Sequence, residues 1–182
     1  MGDGGPGVSA DGAATLFVRR GERYVAWLAE DEVRVLRKVS AEMVGLLTDG
    51  FGHDDPVVRR LFPDVYPDAP DDSAEFRRFT EGELKTGKVD QAGAVLAGLP
   101  EREGEVSLDP EAADAWLRAL TDARLAMGVR LGLDADTDLR VELDLAVDDD
   151  PGSSRVFQLS VYAYLGFLQE SLLEAVMGAP VR

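Results

Sequence analysis

The stretch SRVFQLSVYAYLGFLQESLLEAVM, residues 154–177, decides the fold because it predicts a long helix that is apolar on nearly every side. At 100° per residue, one stripe of this helix contains Phe157, Val161, Leu165, Leu168 and Leu172. Much of the remaining surface is also apolar, with Leu159, Phe167, Leu173 and Met177. A helix of this kind is either the centre of a core or a seam between copies of a chain. We therefore predict a helical bundle around residues 155–177, with a homodimer through the same helix as the alternative.

Three further segments contain the start and stop signals of helices. Residues 30–47 begin with acidic side chains and then repeat apolar residues at spacings of three and four. Asp55 and Asp109 each precede a proline, which is the usual order of a capping residue and the first helical position. These two starts predict a short helix that ends near Phe62 and a long helix that reaches Gly132.

A fourth helical segment, residues 73–99, contains internal glycines. Asp72 and Glu75 have the spacing of a capping box, so the helix is expected to begin at that point. Glycine lowers helix stability, and we expect two helices with a break near Gly87. The prolines between Pro63 and Asp71 predict an extended connection before this segment.

Two parts of the chain have the pattern of β-strands. Short runs around a glycine predict a hairpin, Leu16–Arg19 against Tyr24–Leu28. The segment LRVELDLAV, residues 139–147, alternates apolar and polar residues without a fault, which predicts a half-buried strand that extends the hairpin. Residues 101–108, EREGEVSL, are interpreted as a linker that ends in a short strand. The predicted fold class is mainly α, a helical bundle with a small antiparallel sheet.

Composition limits the domain organisation and the classes of partner. Residues 1–13 contain five glycines and no periodicity, so we expect a disordered tail before a single α-rich domain at 14–178. Among the 182 residues, 35 Asp and Glu outnumber 19 Lys and Arg, which gives a net charge of −16. This charge repels a phosphate backbone, so no direct nonspecific binding of nucleic acid is expected, and it favours a protein partner with a basic face.

Cysteine is absent, which excludes a disulfide, a thiolate nucleophile and a cysteine metal site. No apolar run approaches the roughly 20 residues that span a bilayer. The first residues lack the basic and apolar regions of a secretory signal. We therefore expect a cytoplasmic protein without a membrane partner.

The acidic segment before residue 139 contains the strongest resemblance to a metal site. Three acids occupy positions 1, 3 and 5 of a calcium-binding loop: Asp134, Asp136 and Asp138. The pattern then fails, because Leu139 replaces the glycine of the turn and Leu145 replaces the bidentate glutamate. His53 is the only histidine, so one chain has no pair of histidine ligands. We expect no metal, cofactor or catalytic residue, and a small acidic-residue hydrolase or metal-dependent enzyme is the alternative.

An arginine lies within the apolar stripe of the predicted helix at 110–132. The stripe contains Trp116, Leu117, Leu120, Met127 and Leu131. Arginine is almost never fully buried without a partner, so Arg124 requires either a carboxylate or a contact outside the core. We predict an interhelical ion pair between Arg124 and Glu170, with Asp122 as a second partner. Together with Arg130, these residues are the candidates for a structural ion pair or a contact with a partner protein.

Three segments taken together resemble a known family. They are DPVVRRLFPDVYPD at 55–68, AWLRALTDARLAMGVRLGL at 115–133 and VYAYLGFLQESLL at 161–173. Their order and spacing are similar to those of the actinobacterial oxidative-stress-regulator (AosR-like) family, long catalogued as an uncharacterised actinobacterial domain, over roughly Phe17 to Met177. The family-motif residues beyond those already named are Arg60, Leu61, Phe62, Pro63, Tyr66, Leu125, Gly128, Tyr162 and Gln169.

The resemblance implies a mainly helical, non-enzymatic protein in redox-responsive transcription, and it assigns no catalytic task to the motif residues. It also implies a protein partner, an extracytoplasmic-function sigma factor. The family's redox switch uses a CxxxC pair, and this chain departs from the pattern because it has no cysteine. A thiol switch is therefore chemically impossible in this sequence.

Overall fold

The structure is a computed structural model that describes residues 7–8, 14–49, 52, 54–63 and 70–178, with side chains at 16–49, 52, 54–63 and 80–178. Within these residues the helices are α1 Glu30–Thr48, α2 Pro56–Leu61, α3 Pro70–Gly98, α4 Pro110–Leu131, α5 Leu139–Asp149 and α6 Ser154–Met177. The strands are β1 Gly7–Val8, β2 Ala14–Thr15, β3 Val18–Arg20, β4 Arg23–Leu28 and β5 Gly104–Leu108. The mainly α fold class with a small antiparallel sheet is confirmed.

The capped helix starts form where the sequence predicted them. The side chain of Asp55 accepts a hydrogen bond from the backbone of Val57 at the start of α2. Asp109 does the same for the backbone of Ala112 at the start of α4, and a left-handed Gly132, with φ of 71°, ends that helix. These contacts satisfy backbone groups that a helix end otherwise leaves without partners.

The three-stranded sheet is antiparallel in the order β3-β4-β5. The predicted hairpin is confirmed as β3 and β4, joined through Gly21, whose φ is 62°. The third strand is β5, which pairs along β4 from Tyr24 opposite Leu108 to Leu28 opposite Gly104. The short strand expected at the end of residues 101–108 is therefore confirmed as β5, and it completes the sheet. Residues 7–8 pair with β2 inside the segment predicted as a tail, whose other residues lie outside the described part of the chain.

The predicted strand at 139–147 is wrong, because these residues form α5. Asp138 caps this helix and accepts hydrogen bonds from the backbones of Arg140 and Val141. Its inner face contains Leu139, Leu143 and Ala146, at helical spacings of four and three, and packs with Leu131 and Leu159. The sequence fits both periods, and the helical period buries a face against α4 and α6.

Two details of α3 also differ from the prediction. The helix begins at Pro70, ahead of the start predicted at Asp72, so the last two residues of the predicted extended connection, Pro70 and Asp71, are helical. It runs without a break through Gly87 to Gly98. Packing against α1 and α4 buries one face of its C-terminal half, with Ala92 and Val95, and this offsets a cost of about 1 kcal/mol for each internal glycine.

The core surrounds α6 and the facing side of α4. Four α6 side chains have no exposed surface: Leu159, Leu165, Leu168 and Leu172. The predicted stripe is therefore confirmed in its middle and wrong at Phe157, which is 54% exposed. The Oγ of Ser171 accepts hydrogen bonds from the backbones of Leu16 and Phe17 at 2.8 and 2.7 Å, which fastens the N-terminal strands to α6. In the described part of the chain, no helix has the length and apolar character needed to cross a bilayer.

Candidate functional site

A cleft of about 330 Å³ brings the three family-like segments together. Arg60 of α2, Arg124 of α4 and Tyr162 and Gln169 of α6 line it, and Asp134 lies in its wall just after α4. We call it the arginine cleft, defined by these five residues. The sequence named four of the five through the family motif, and the cleft shows that residues about 100 positions apart share one surface.

Arg124 is held in this cleft by neutral side chains. Its Nη1 donates a hydrogen bond of 2.9 Å to Oε1 of Gln169. The Nε2 of Gln169 in turn donates to the hydroxyl of Thr121 at 2.7 Å. The guanidinium carbon lies 5.3 Å from the centroid of the Tyr162 ring, within the range of a cation–π contact. The guanidinium group lies against the backbone of α6 at Gly166, where an added Cβ would meet its carbon at the ordinary contact distance of 3.5 Å.

The predicted ion pair between Arg124 and Glu170 is wrong. Glu170 is exposed on α6, and its neighbour Gln169 occupies the position that faces α4. Successive residues differ by 100° around a helix, so only one of the two can face Arg124. Asp122 does not form an ion pair with Arg124 either, because its carboxylate binds the ammonium group of Lys88.

The charges of the cleft are unevenly compensated. Arg124 and Arg60 form no ion pair with any residue whose side chain the structure describes. The Nε of Arg124 is buried and has no hydrogen-bond acceptor. Asp134 instead binds the hydroxyl of Thr137 at 2.7 Å and the backbone of Asp136 at 3.1 Å, and these hydrogen bonds lower its pKa. The cleft therefore has a positive end and a separate, stably ionised carboxylate.

The ion pair that the structure does contain joins α3 to α4. The Nζ of Lys88 lies 2.7 and 2.9 Å from the two carboxylate oxygens of Asp122, which is 6% exposed. The same ammonium group lies 5.8 Å from the ring centroid of Phe62. Sequence reasoning missed Lys88, although a lysine about three turns before the end of the predicted helix at 73–99 was the available signal. The pair explains why a carboxylate is buried in α4.

The other motif residues are mostly structural. Trp116 has no exposed surface, and Phe17 contacts it edge-on with ring centroids 6.1 Å apart. Leu61 and Phe62 are buried, Leu117 is half-buried and Pro63 is exposed. Gly128 packs against Tyr162, because a Cβ there would lie 3.7 Å from its ring. Tyr66 and His53 lie outside the described residues.

A second groove, of about 300 Å³, runs between α1, α4 and α6. Met43, Met127 and Phe157 form part of its apolar lining, and Lys38 and Arg130 lie at its charged positions. Arg130 is exposed, so its predicted role as a partner contact stays a prediction.

An acidic and apolar surface covers the outside of α5. Val141 and Leu145 are 51% and 60% exposed, although large apolar side chains are usually buried. Asp144 and Asp148 lie on the same side of the helix and are also exposed. We call these four residues the α5 outer face. Among the described residues, no group of three or more His, Cys, Asp or Glu side chains is placed to hold a metal ion.

The chain resembles proteins of one family along most of its length. It matches the model of a domain of unknown function, DUF2017, over residues 13–176. It is 30% identical over 190 residues to the putative oxidative stress regulator AosR of Mycobacterium leprae, which covers 86% of this chain and 84% of the relative. The oxidative stress regulators AosR of Mycobacterium bovis and Mycobacterium tuberculosis are 30% identical over 195 residues, 88% of this chain and 85% of each relative. No solved structure matches the chain.

Proposed function

Because the chain belongs to the DUF2017 family, and relatives over most of its length are named oxidative stress regulators, we propose that it is a non-enzymatic regulator that binds a protein with a basic face. The family resemblance predicted from three sequence segments is confirmed by these relatives, and their names support a regulatory role. The binding of a partner is our own inference from the surface of the molecule.

The observation that supports it is the α5 outer face. An exposed apolar patch on a folded protein commonly marks an interaction site, and Val141 and Leu145 lie side by side, one helical turn apart. The acids around them are part of a net charge of −16. An apolar centre with an acidic rim is complementary to a partner that presents apolar side chains among lysines and arginines.

The family resemblance suggests a sigma factor as this partner. A transcription factor with a nucleic-acid-binding surface presents the positive charge that the α5 outer face requires. The signal that controls binding is not a thiol switch, because the sequence has no cysteine. A disulfide formed within this sequence is therefore excluded as the regulatory signal.

The test compares two lysine substitutions on exposed leucines. Leu145→Lys places a positive charge in the α5 outer face, and Leu84→Lys makes the same change on α3, where Leu84 is 53% exposed. Both variants are expected to keep the stability of the parent protein, because neither side chain is buried. Each protein is used as bait at low salt, and bound proteins are identified by mass spectrometry.

We expect the parent and Leu84→Lys to retain the same basic proteins and Leu145→Lys to lose them. Retention by all three baits, or a retained set without basic proteins, contradicts the proposal. Light scattering on the same samples tests whether the α5 outer face binds a second copy of this chain. In that case the parent is a dimer and Leu145→Lys is a monomer.

A further inference from the structure

The two uncompensated arginines of the cleft lie in a chain that has an excess of carboxylates. Arg60 comes from α2 and Arg124 from α4, yet both line one cavity of about 330 Å³. With 35 acidic residues in the chain, an ion pair within the protein would be the simplest partner for each guanidinium group. Neither has one among the residues whose side chains are described. We propose that the arginine cleft binds a small molecule through an oxyanion group, a carboxylate or a phosphate.

Arg124 is prepared for such a ligand. Its Nη1 is occupied by Gln169, whereas Nη2 makes no hydrogen bond to a described residue. The guanidinium group is already fixed by Gln169, the Tyr162 ring and the backbone of Gly166. A donor that is ordered before binding loses little conformational entropy when the anion arrives, so it binds more tightly. A ligand oxygen would also stabilise the positive charge beside the buried Nε, which has no acceptor.

Arg60 supplies a second, exposed cation. It is exposed on α2, and no hydrogen bond or ion pair joins its side chain to the described residues. Its neighbour Arg59 is also exposed, but its side chain turns to the backbone oxygen of Asp54. Two guanidinium groups on one cavity match the several oxygens of a single carboxylate or phosphate. The pair of adjacent arginines also provides an internal control for the experiment.

The rest of the lining defines the size and chemistry of the ligand. Leu125, Val129 and Leu133 give the cleft an apolar wall, and its volume is at the small end of ligand pockets. The carboxylate of Asp134 remains ionised, so it keeps a second anionic group away from its own end of the cleft. A small organic anion with one charged end and an apolar body fits this arrangement. The same site is independent of the α5 outer face, so either proposal can fail alone.

The experiment measures the thermal midpoint and binding heat of the full chain with named probes. These are inorganic phosphate, succinate and benzoate, with benzamide as the neutral analogue and sodium chloride as the control for ionic strength. Ligand binding to the native state raises the midpoint, and at a concentration of about 100 times Kd the expected rise is about 5–10 °C. A response to phosphate alone identifies a phosphate ligand, and a response to benzoate or succinate identifies a carboxylate ligand.

Three variants locate the binding. Arg60→Gln is expected to weaken binding of the responding probe at least tenfold, whereas Arg59→Gln leaves it unchanged, although both remove one charge. Arg124→Lys keeps the charge but loses the planar donor group, and it is expected to weaken binding as well. The proposal is overturned if no probe raises the midpoint above the sodium chloride control, or if Arg59→Gln weakens binding as much as Arg60→Gln.

Discussion

Replacing Asp122 with Asn tests the ion pair between α3 and α4. The change keeps the shape of the side chain and leaves the ammonium group of Lys88 without its counterion. Removing one member of a fully buried pair costs about 3–5 kcal/mol, and exposed pairs contribute about 0.2–1 kcal/mol. The two side chains are 9% and 20% exposed, which places this pair nearer the buried case. We expect a loss of about 2–3 kcal/mol in the free energy of unfolding.

A matched control lies on the same helix. Arg118 and Asp114 form an ion pair with the same N–O distance of 2.7 Å, but their side chains are 61% and 62% exposed. Asp114→Asn is therefore expected to lower the free energy of unfolding far less than Asp122→Asn, because solvent screens the exposed pair. Urea titrations followed by circular dichroism measure both variants, with equal m-values as the check for two-state unfolding. If Asp122→Asn loses no more stability than Asp114→Asn, burial does not strengthen this pair and the reasoning is refuted.

Three other expectations follow from the packing and the charges. Gly98→Ala is expected to lower the free energy of unfolding by about 1–3 kcal/mol, because its Cβ would lie 3.2 Å from the fully buried ring of Trp116. Gly166→Ala is the control and is expected to be tolerated, since its Cβ would make ordinary contacts of 3.5 Å. Equal effects of the two variants in urea titrations would refute this. Burial, and then the nearby carboxylate of Glu32, raise the pKa of Tyr164 above its ordinary value of 10.0. The unfolded chain therefore loses this proton first, stability falls as the pH rises above about 10, and Tyr164→Phe is expected to reduce that fall; an unchanged slope would count against the argument. Calcium, magnesium and manganese are expected to leave the thermal midpoint unchanged, and a rise with any of them would favour the metal-dependent enzyme.

Local chemistry in the sequence was sufficient for most of the fold. Asp55 and Asp109 each precede a proline, and both starts are capped as predicted. The hairpin at Gly21 and the central position of the last helix were also predictable, because each depends on neighbouring residues. These signals act over a few residues, and at these positions the packing of the fold agrees with them.

The errors arose where tertiary contacts choose between two local patterns. Residues 139–147 alternate as a strand would, yet Leu139, Leu143 and Ala146 also share a helical face that α4 and α6 can cover. The third strand of the sheet is instead β5, which comes shortly after α3 in the sequence and pairs with β4 along its whole length. The local pattern of residues does not show which of the two segments, 139–147 or 104–108, pairs with the hairpin.

The arginine cleft shows the same limit. The position of Arg124 in an apolar stripe was visible in the sequence, and it correctly predicted that the arginine contacts a polar side chain of α6. Its partner was predicted one residue away from the true one, since the rotation of α6 about its axis determines whether Gln169 or Glu170 faces α4. That rotation depends on how the whole core packs, and a single helix does not specify it.

The most direct test of the proposed function is the salt dependence of binding between this chain and the purified basic protein that the parent bait retains. The account predicts that the affinity falls at least tenfold between about 50 and 500 mM salt, and that Leu145→Lys weakens it at low salt. An affinity that is unchanged over this range, or unchanged by Leu145→Lys, would contradict the claim that the acidic and apolar surface of α5 binds the partner.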